Sequence, residues 1–125
     1  MTIQRVDSNQ RMSQIVTYAN TVYLAGQTAE NTEQGIAEQT AETLQTIEQL
    51  LARAGSDKEH ILSVTIYLKD IERDFAVMNA VWDRWLPVGI TPARATVEAR
   101  MCEPDILVEM SVIAAINSRS ARLER

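Results

Sequence analysis

The sequence predicts an α+β domain, one β-sheet with two helices on one of its faces. Three observations carry this. β-rich segments with period-two alternation recur along the chain, two other segments place apolar residues at helical spacing, and 125 residues, 46% of them apolar, suit one domain with its own core.

Residues 2–6 read as a first strand. Residues 15–18 and 21–27 read as a hairpin about Ala19-Asn20, with Asn20 as the residue that tolerates left-handed geometry. A helix is expected over 33–54, where Asn31 and Gln34 have the spacing of a capping box. Its buried stripe is Ile36, Thr40, Leu44, Ile47, Leu51 and Ala54, and Gly55 is placed to stop it. Residues 61–69 alternate, with Leu62, Val64, Ile66 and Leu68 on one face. A second helix over 74–86 aligns Phe75, Met78, Trp82 and Trp85 and ends at Pro87. Strands over 93–99 and 105–115 follow. The domain is expected to span 1–116, with 117–125 a polar, flexible tail. The order β-β-β-α-β-α-β-β leaves the second sheet face without helices, and burial between copies of the chain is one way to cover it.

Composition narrows the function classes. No apolar run reaches the length of a membrane-spanning helix, and the first residues lack the apolar core of a secretory signal. Cys102 is the only cysteine, which excludes an internal disulfide and fits the reducing cytoplasm. With Cys102 and His60 the only cysteine and histidine, a zinc site within one chain is not expected. A net charge of −5 argues against a general nucleic-acid binder, and Arg119, Arg122 and Arg125 are too few to make a site. His60 reads as a solvated loop residue, Cys102 as an ordinary small residue, and Arg11 as a surface charge.

Alternation sorts the polar residues of the last two strands. Arg94, Thr96, Glu98 and Arg100 share one face of theirs, and Glu109 lies with Leu107, Ser111 and Ile113. Glu109 is a carboxylate in an otherwise apolar strand, and burying a charge is costly unless it is paired or used. Either it makes an ion pair with an arginine that fixes register or a subunit contact, or it belongs to a site. Pairing of adjacent antiparallel strands, or a subunit boundary, is expected to bring Arg94 and Glu109 together.

The segment Thr91-Pro92-Ala93-Arg94-Ala95-Thr96-Val97-Glu98, followed by Val108-Glu109-Met110 and Ile113-Ala114-Ala115, resembles the C-terminal signature of the RidA (YjgF) reactive intermediate deaminase family. Leu24-Ala25-Gly26-Gln27 is similar to that family's early strand, and Phe75-Ala76-Val77-Met78-Asn79 to its second helix. The resemblance implies a chorismate-mutase-like mixed sheet and a homotrimer with a cleft at each subunit boundary. It implies hydrolysis of enamines and imines such as 2-aminoacrylate to a 2-keto acid and ammonia, without metal or cofactor. By it, Arg94 clamps the substrate carboxylate, Glu109 activates water, and Asn79, Thr96 and Gly26 complete the binding site. A guanidinium can hold a carboxylate by two parallel hydrogen bonds, and a carboxylate can orient and deprotonate water. Three positions depart from the family pattern: Met12 replaces a tyrosine, Ala25 a serine and Thr96 a cysteine. Enamine or imine hydrolysis therefore stands beside non-catalytic binding or sensing of a small carboxylate-bearing metabolite. Ribonuclease activity ranks last, given the acidic charge and the lone histidine.

Overall fold

The structure, a computed structural model, describes residues 1–117. Its elements are β1 (Gln4–Ser8), β2 (Ser13–Tyr18), β3 (Thr21–Leu24), α1 (Ile36–Arg53), β4 (Ile61–Leu68), α2 (Ile71–Trp85), β5 (Ala93–Glu98) and β6 (Val108–Ala115), with one 3-10 turn at Lys58–His60. This is the expected order. The strands form one six-stranded sheet in the order β1-β2-β3-β6-β4-β5. Only β4 and β5 run parallel, joined by α2, so the sheet is mixed.

The β2–β3 hairpin turns at Ala19-Asn20 as expected, but Ala19, with φ of 55°, takes the left-handed conformation rather than Asn20. The first helix starts later than its sequence suggests. Asn31 accepts from the Glu33 N–H in a local turn, and Gln34 donates to Glu42, so no capping box forms and Gly35 stands at the N-cap. Its end is as expected. Gly55 has φ of 81°, its N–H reaches the Ala52 carbonyl and the Ser56 N–H reaches Leu51, a Schellman motif. The second helix begins three residues earlier than expected, because the Asp70 side chain accepts from the Arg73 N–H (3.1 Å) and Glu98 from the Ile71 N–H (3.1 Å). It buries Asp74, Met78, Val81 and Trp82, which leaves Phe75, expected on the buried stripe, 40% exposed.

Both helices cover one face of the sheet. Leu44, Ile47 and Leu51 from α1 and Met78, Val81 and Trp82 from α2 close over Val64, Ile66, Leu68, Val108, Met110, Val112 and Ala114. Leu62 does not join them. A bulge between Ile61 and Ser63 shifts the register, so Ile61 is buried and Leu62 is 51% exposed. Among the described residues no helix lies on the other face, and Tyr18, Tyr23, Val97 and Ile113 stay exposed on it. Asn117, expected to begin a flexible tail, is tied down. Its N–H donates to the Gly55 carbonyl (2.9 Å) and its side chain to Asp57 (3.0 Å). The rest of the expected tail lies outside the described residues.

One buried polar side chain positions the start of β6. Gln39 has no exposed surface; its amide N–H groups reach the carbonyls of Gln34 (3.0 Å) and Asp105 (3.0 Å), and its oxygen accepts from the Leu107 N–H (3.0 Å). It thereby joins the first turn of α1 to the residues that lead into Val108 and Glu109. Gln39→Met keeps the length but leaves those backbone groups unpaired inside the protein, so we expect a loss of roughly 1–3 kcal/mol or more in denaturant unfolding. A change within about 0.5 kcal/mol, the range of a neutral surface substitution, would show that water replaces the amide.

Candidate functional site

The residues expected at the site fall into two groups. Arg94, Thr96 and Asn79 form the first. In the β4–β5 register Arg94 pairs with Val64 and Thr96 with Ile66, so both sit on the helix-covered side, at the edge strand. The Arg94 guanidinium lies over the Trp82 indole, 5.3 Å from the ring centroid. Among the described residues it has no carboxylate or carbonyl partner, so its fork is available. Asn79 stands one turn before Trp82 on α2. Asn79 Oδ1 and Thr96 Oγ1 are both buried, and neither has a hydrogen-bond partner among the described residues. Buried polar atoms without partners are uncommon and cost free energy, so each calls for a water or a ligand.

Glu109 and Gly26 form the second group. Glu109 pairs with Tyr67 across β4–β6, and Tyr67 alternates with the buried Ile66 and Leu68. Glu109 therefore faces the bare side of the sheet. Gly26 is brought beside it by Gln27 and Met110, whose backbones exchange two hydrogen bonds of 2.9 and 3.0 Å. A Cβ on Gly26 would fall onto Glu109 Oε2 and lie 3.0 Å from Cδ, so it is close approach, not backbone angle, that leaves glycine its place beside this carboxylate. Among the described residues Glu109 makes no ion pair. Glu109, Tyr67, Ser111, Arg100 and Cys102 line a pocket of about 260 Å³. Arg100 lines it without pairing with Glu109.

One expectation is corrected. Arg94 and Glu109 do not meet by strand pairing, because β4 separates β5 from β6 and β5 runs parallel to it. Val64 and Tyr67, their partners on β4, are an odd number of residues apart with no bulge between them, so the two charges project from opposite faces. Arg94, Thr96 and Glu98 do share a face; Arg100 lies beyond the strand and lines the Glu109 pocket.

Sequence reasoning missed Tyr67 and the place of Trp82 under Arg94, whereas it put Ser111 on the Glu109 face. Tyr67 was readable as the residue opposing Ile66 and Leu68, but its cross-strand partner was not. Of the departing positions, Met12 is exposed in the β1–β2 turn and Ala25 bonds through its N–H to the Gln14 carbonyl. Arg11 is exposed in the same turn, where its N–H donates to Asn9. Cys102 is exposed, and the only histidine, His60, is 2.6 Å from Asp57. Burial raises the Asp57 pKa, but hydrogen bonds from His60 and Asn117, the His60 charge and the Glu59 N–H outweigh it and leave it below the ordinary carboxylate value. Among the described residues, no helix is long and apolar enough to cross a membrane, and no group of three or more His, Cys, Asp or Glu could hold a metal.

Comparison with known proteins gives a consistent result. A family model described as endoribonuclease L-PSP matches residues 2–116. The RutC family protein YoaB of Escherichia coli K12 is 43% identical, over 93% of this chain and 100% of that one. A RutC family protein of Haemophilus influenzae is 44% identical, over 91% and 98%. Among solved structures, NMB1025 of Neisseria meningitidis, a member of the YjgF protein family, superposes with a TM-score of 0.89 at 44% identity, covering 94% of this chain and 97% of that one.

The fit of Gly26 against Glu109 has a testable consequence. The obstructing atoms are the free end of a flexible side chain, so Gly26→Ala should cost no more than about 1 kcal/mol, the scale of a displaced rotamer. The carboxylate should swing away from its present place. A melting curve and a crystal structure of the variant check both points, and a loss of several kcal/mol would show that the backbone, not Glu109, gives way.

Proposed function

The chain belongs to the YjgF/RutC family, whose model carries the description endoribonuclease L-PSP, and on that footing we propose that it hydrolyses small 2-imino acids and their enamine tautomers. The observation that carries this reading is a pair of opposite charges, Arg94 and Glu109, neither neutralised among the described residues. Each sits beside features that suit a ligand. Arg94 has the unpartnered Asn79 and Thr96 atoms nearby in the fold, and Glu109 has a pocket.

The reaction uses both charges. Arg94 binds the carboxylate of the imino acid with its fork. Glu109 takes a proton from water as the oxygen attacks the imine carbon, giving a tetrahedral amino alcohol. That proton completes the amino group of this intermediate; its hydroxyl proton then passes to the nitrogen, the C–N bond breaks as the C=O bond forms, and a 2-keto acid and ammonia leave. Because the two residues lie on opposite faces of one sheet, a site that uses both takes Arg94, Asn79 and Thr96 from one copy and Glu109 and Gly26 from the next. The bare sheet face supplies the surface for such an assembly, and a homotrimer accounts for it.

A second reading has an observation in its favour. Met12 and Ala25 place no hydroxyl where the family pattern has tyrosine and serine, which leaves fewer groups to hold a water or an amino alcohol. In that case the same Arg94 serves a protein that binds a small carboxylate without turnover. The acidic chain, at −5, offers little to an RNA backbone.

The deciding assay generates 2-imino acids with an amino-acid oxidase and follows their loss and the release of ammonia. We expect acceleration by the wild-type protein and a drop on the order of 10²-fold for Glu109→Gln, the scale of a lost general base. Light scattering should give three times the 14.0 kDa chain mass for both. Binding of 2-oxobutanoate without any acceleration favours the second reading. A Glu109→Gln protein that hydrolyses normally, or that falls apart into single chains, returns Glu109 to a structural role.

A further inference from the structure

The indole of Trp82 does two things at once. It is 5% exposed and belongs to the core under α2, yet it also lies against the Arg94 guanidinium at the protein surface. Arg94 is exposed, and among the described residues no carboxylate or carbonyl fixes its long side chain. The ring contact is what defines where its charge sits.

The ring is itself held. Trp82 and Trp85 have centroids 5.7 Å apart at an interplanar angle of 54°. The Trp85 indole N–H donates to Glu48 Oε1 of α1 (2.6 Å), and Lys58 Nζ lies 5.6 Å from the Trp85 ring centroid. The two helices thus lock Trp85, Trp85 abuts Trp82, and Trp82 presents a rigid π face at the one place where β5 carries an arginine.

We propose that Trp82 is the positioning residue for Arg94, holding its guanidinium over the indole so that the N–H edge meets a ligand carboxylate. This rests on the reading of Arg94 as the carboxylate clamp. A flexible arginine loses rotamer freedom when it binds, and that loss weakens binding. An arginine already resting on an aromatic face has lost much of it beforehand. The contact leaves the donors free, because a guanidinium over a ring keeps its hydrogen-bonding edge outward. The π face also adds attraction for the cation. Asn79 and Thr96, with their unpartnered buried atoms, lie on the two elements that flank this stack.

The test compares Trp82→Leu, which fills much of the space without a π face, with Trp82→Phe, which keeps one. Calorimetry with 2-oxobutanoate measures binding, and light scattering with circular dichroism confirms assembly and fold. Trp82→Leu should bind roughly threefold to tenfold more weakly, the span of a cation–π contact at a partly exposed site, with Trp82→Phe close to the parent. Arg94→Lys should bind more weakly too, and adding Trp82→Leu to it should cost little more, because the indole acts through the guanidinium. Independent additive losses, or a folded Trp82→Leu protein that binds like the parent, would overturn the proposal. If Trp82→Leu does not fold, Trp82→Met, which also fills space without a π face, carries the same comparison with Arg94→Lys. If the wild type binds no 2-keto acid, the clamp reading fails, and the Arg94 Nε–H proton resonance judges the stack alone. An upfield ring-current shift that Trp82→Leu abolishes upholds it, and an ordinary arginine shift overturns it.

Discussion

The seat of β6 in the sheet governs the rest of the structure. It is hydrogen-bonded to β3 on one side and β4 on the other, and it is pinned at its start by Gln39 and by the Gln27–Met110 bridge. A strand so held has no freedom of register, since a one-residue slip would bury Glu109 and expose Met110. Val108, Met110, Val112 and Ala114 must face the helices, and Glu109 must face the opposite way. The same bridge sets Gly26 against the Glu109 carboxylate. Core packing and the placement of the Glu109 carboxylate are one constraint here.

A second consequence concerns β5. It pairs in parallel with β4, and its Arg94 shares the helix side with Val64. Two complementary charges are thereby fixed on opposite faces of a sheet. Side chains cannot reach through that layer, because strands about 5 Å apart leave no gap between their hydrogen-bonded backbones. The exposed Tyr18, Tyr23, Val97 and Ile113 on the bare face give other copies of the chain a reason to pack there. On the proposed function, assembly is the step that completes the site.

Much of this was legible in the sequence. Every element appeared in its proper order, because strand alternation and the helical stripes are strong local signals. The split of Arg94 with Thr96 from the residues that oppose them came from alternation alone, as did the placing of Glu109 with Ser111. What the sequence hid was non-local. The insertion of β4 between β5 and β6 is a matter of topology, and without it Arg94 and Glu109 look like neighbours. The bulge that turns Leu62 outward is a single inserted residue with no local mark. The capping-box spacing at Asn31 and Gln34 was real, but Glu42 competes for Gln34 and the helix starts later. The family resemblance named the site residues, whereas alternation and strand register say which of them one chain can bring together.

On the proposed function Arg94 and Glu109 act from different copies of the chain, and subunit mixing tests this. Arg94→Gln and Glu109→Gln chains are each assembled alone, then dissociated, mixed in equal amounts and reassembled. Each alone should be nearly inactive in imine hydrolysis. The mixture should recover roughly a quarter of wild-type activity, because random pairing gives about that share of boundaries an intact Arg94 from one chain and an intact Glu109 from the next. A mixture no more active than the average of its two components would contradict the account.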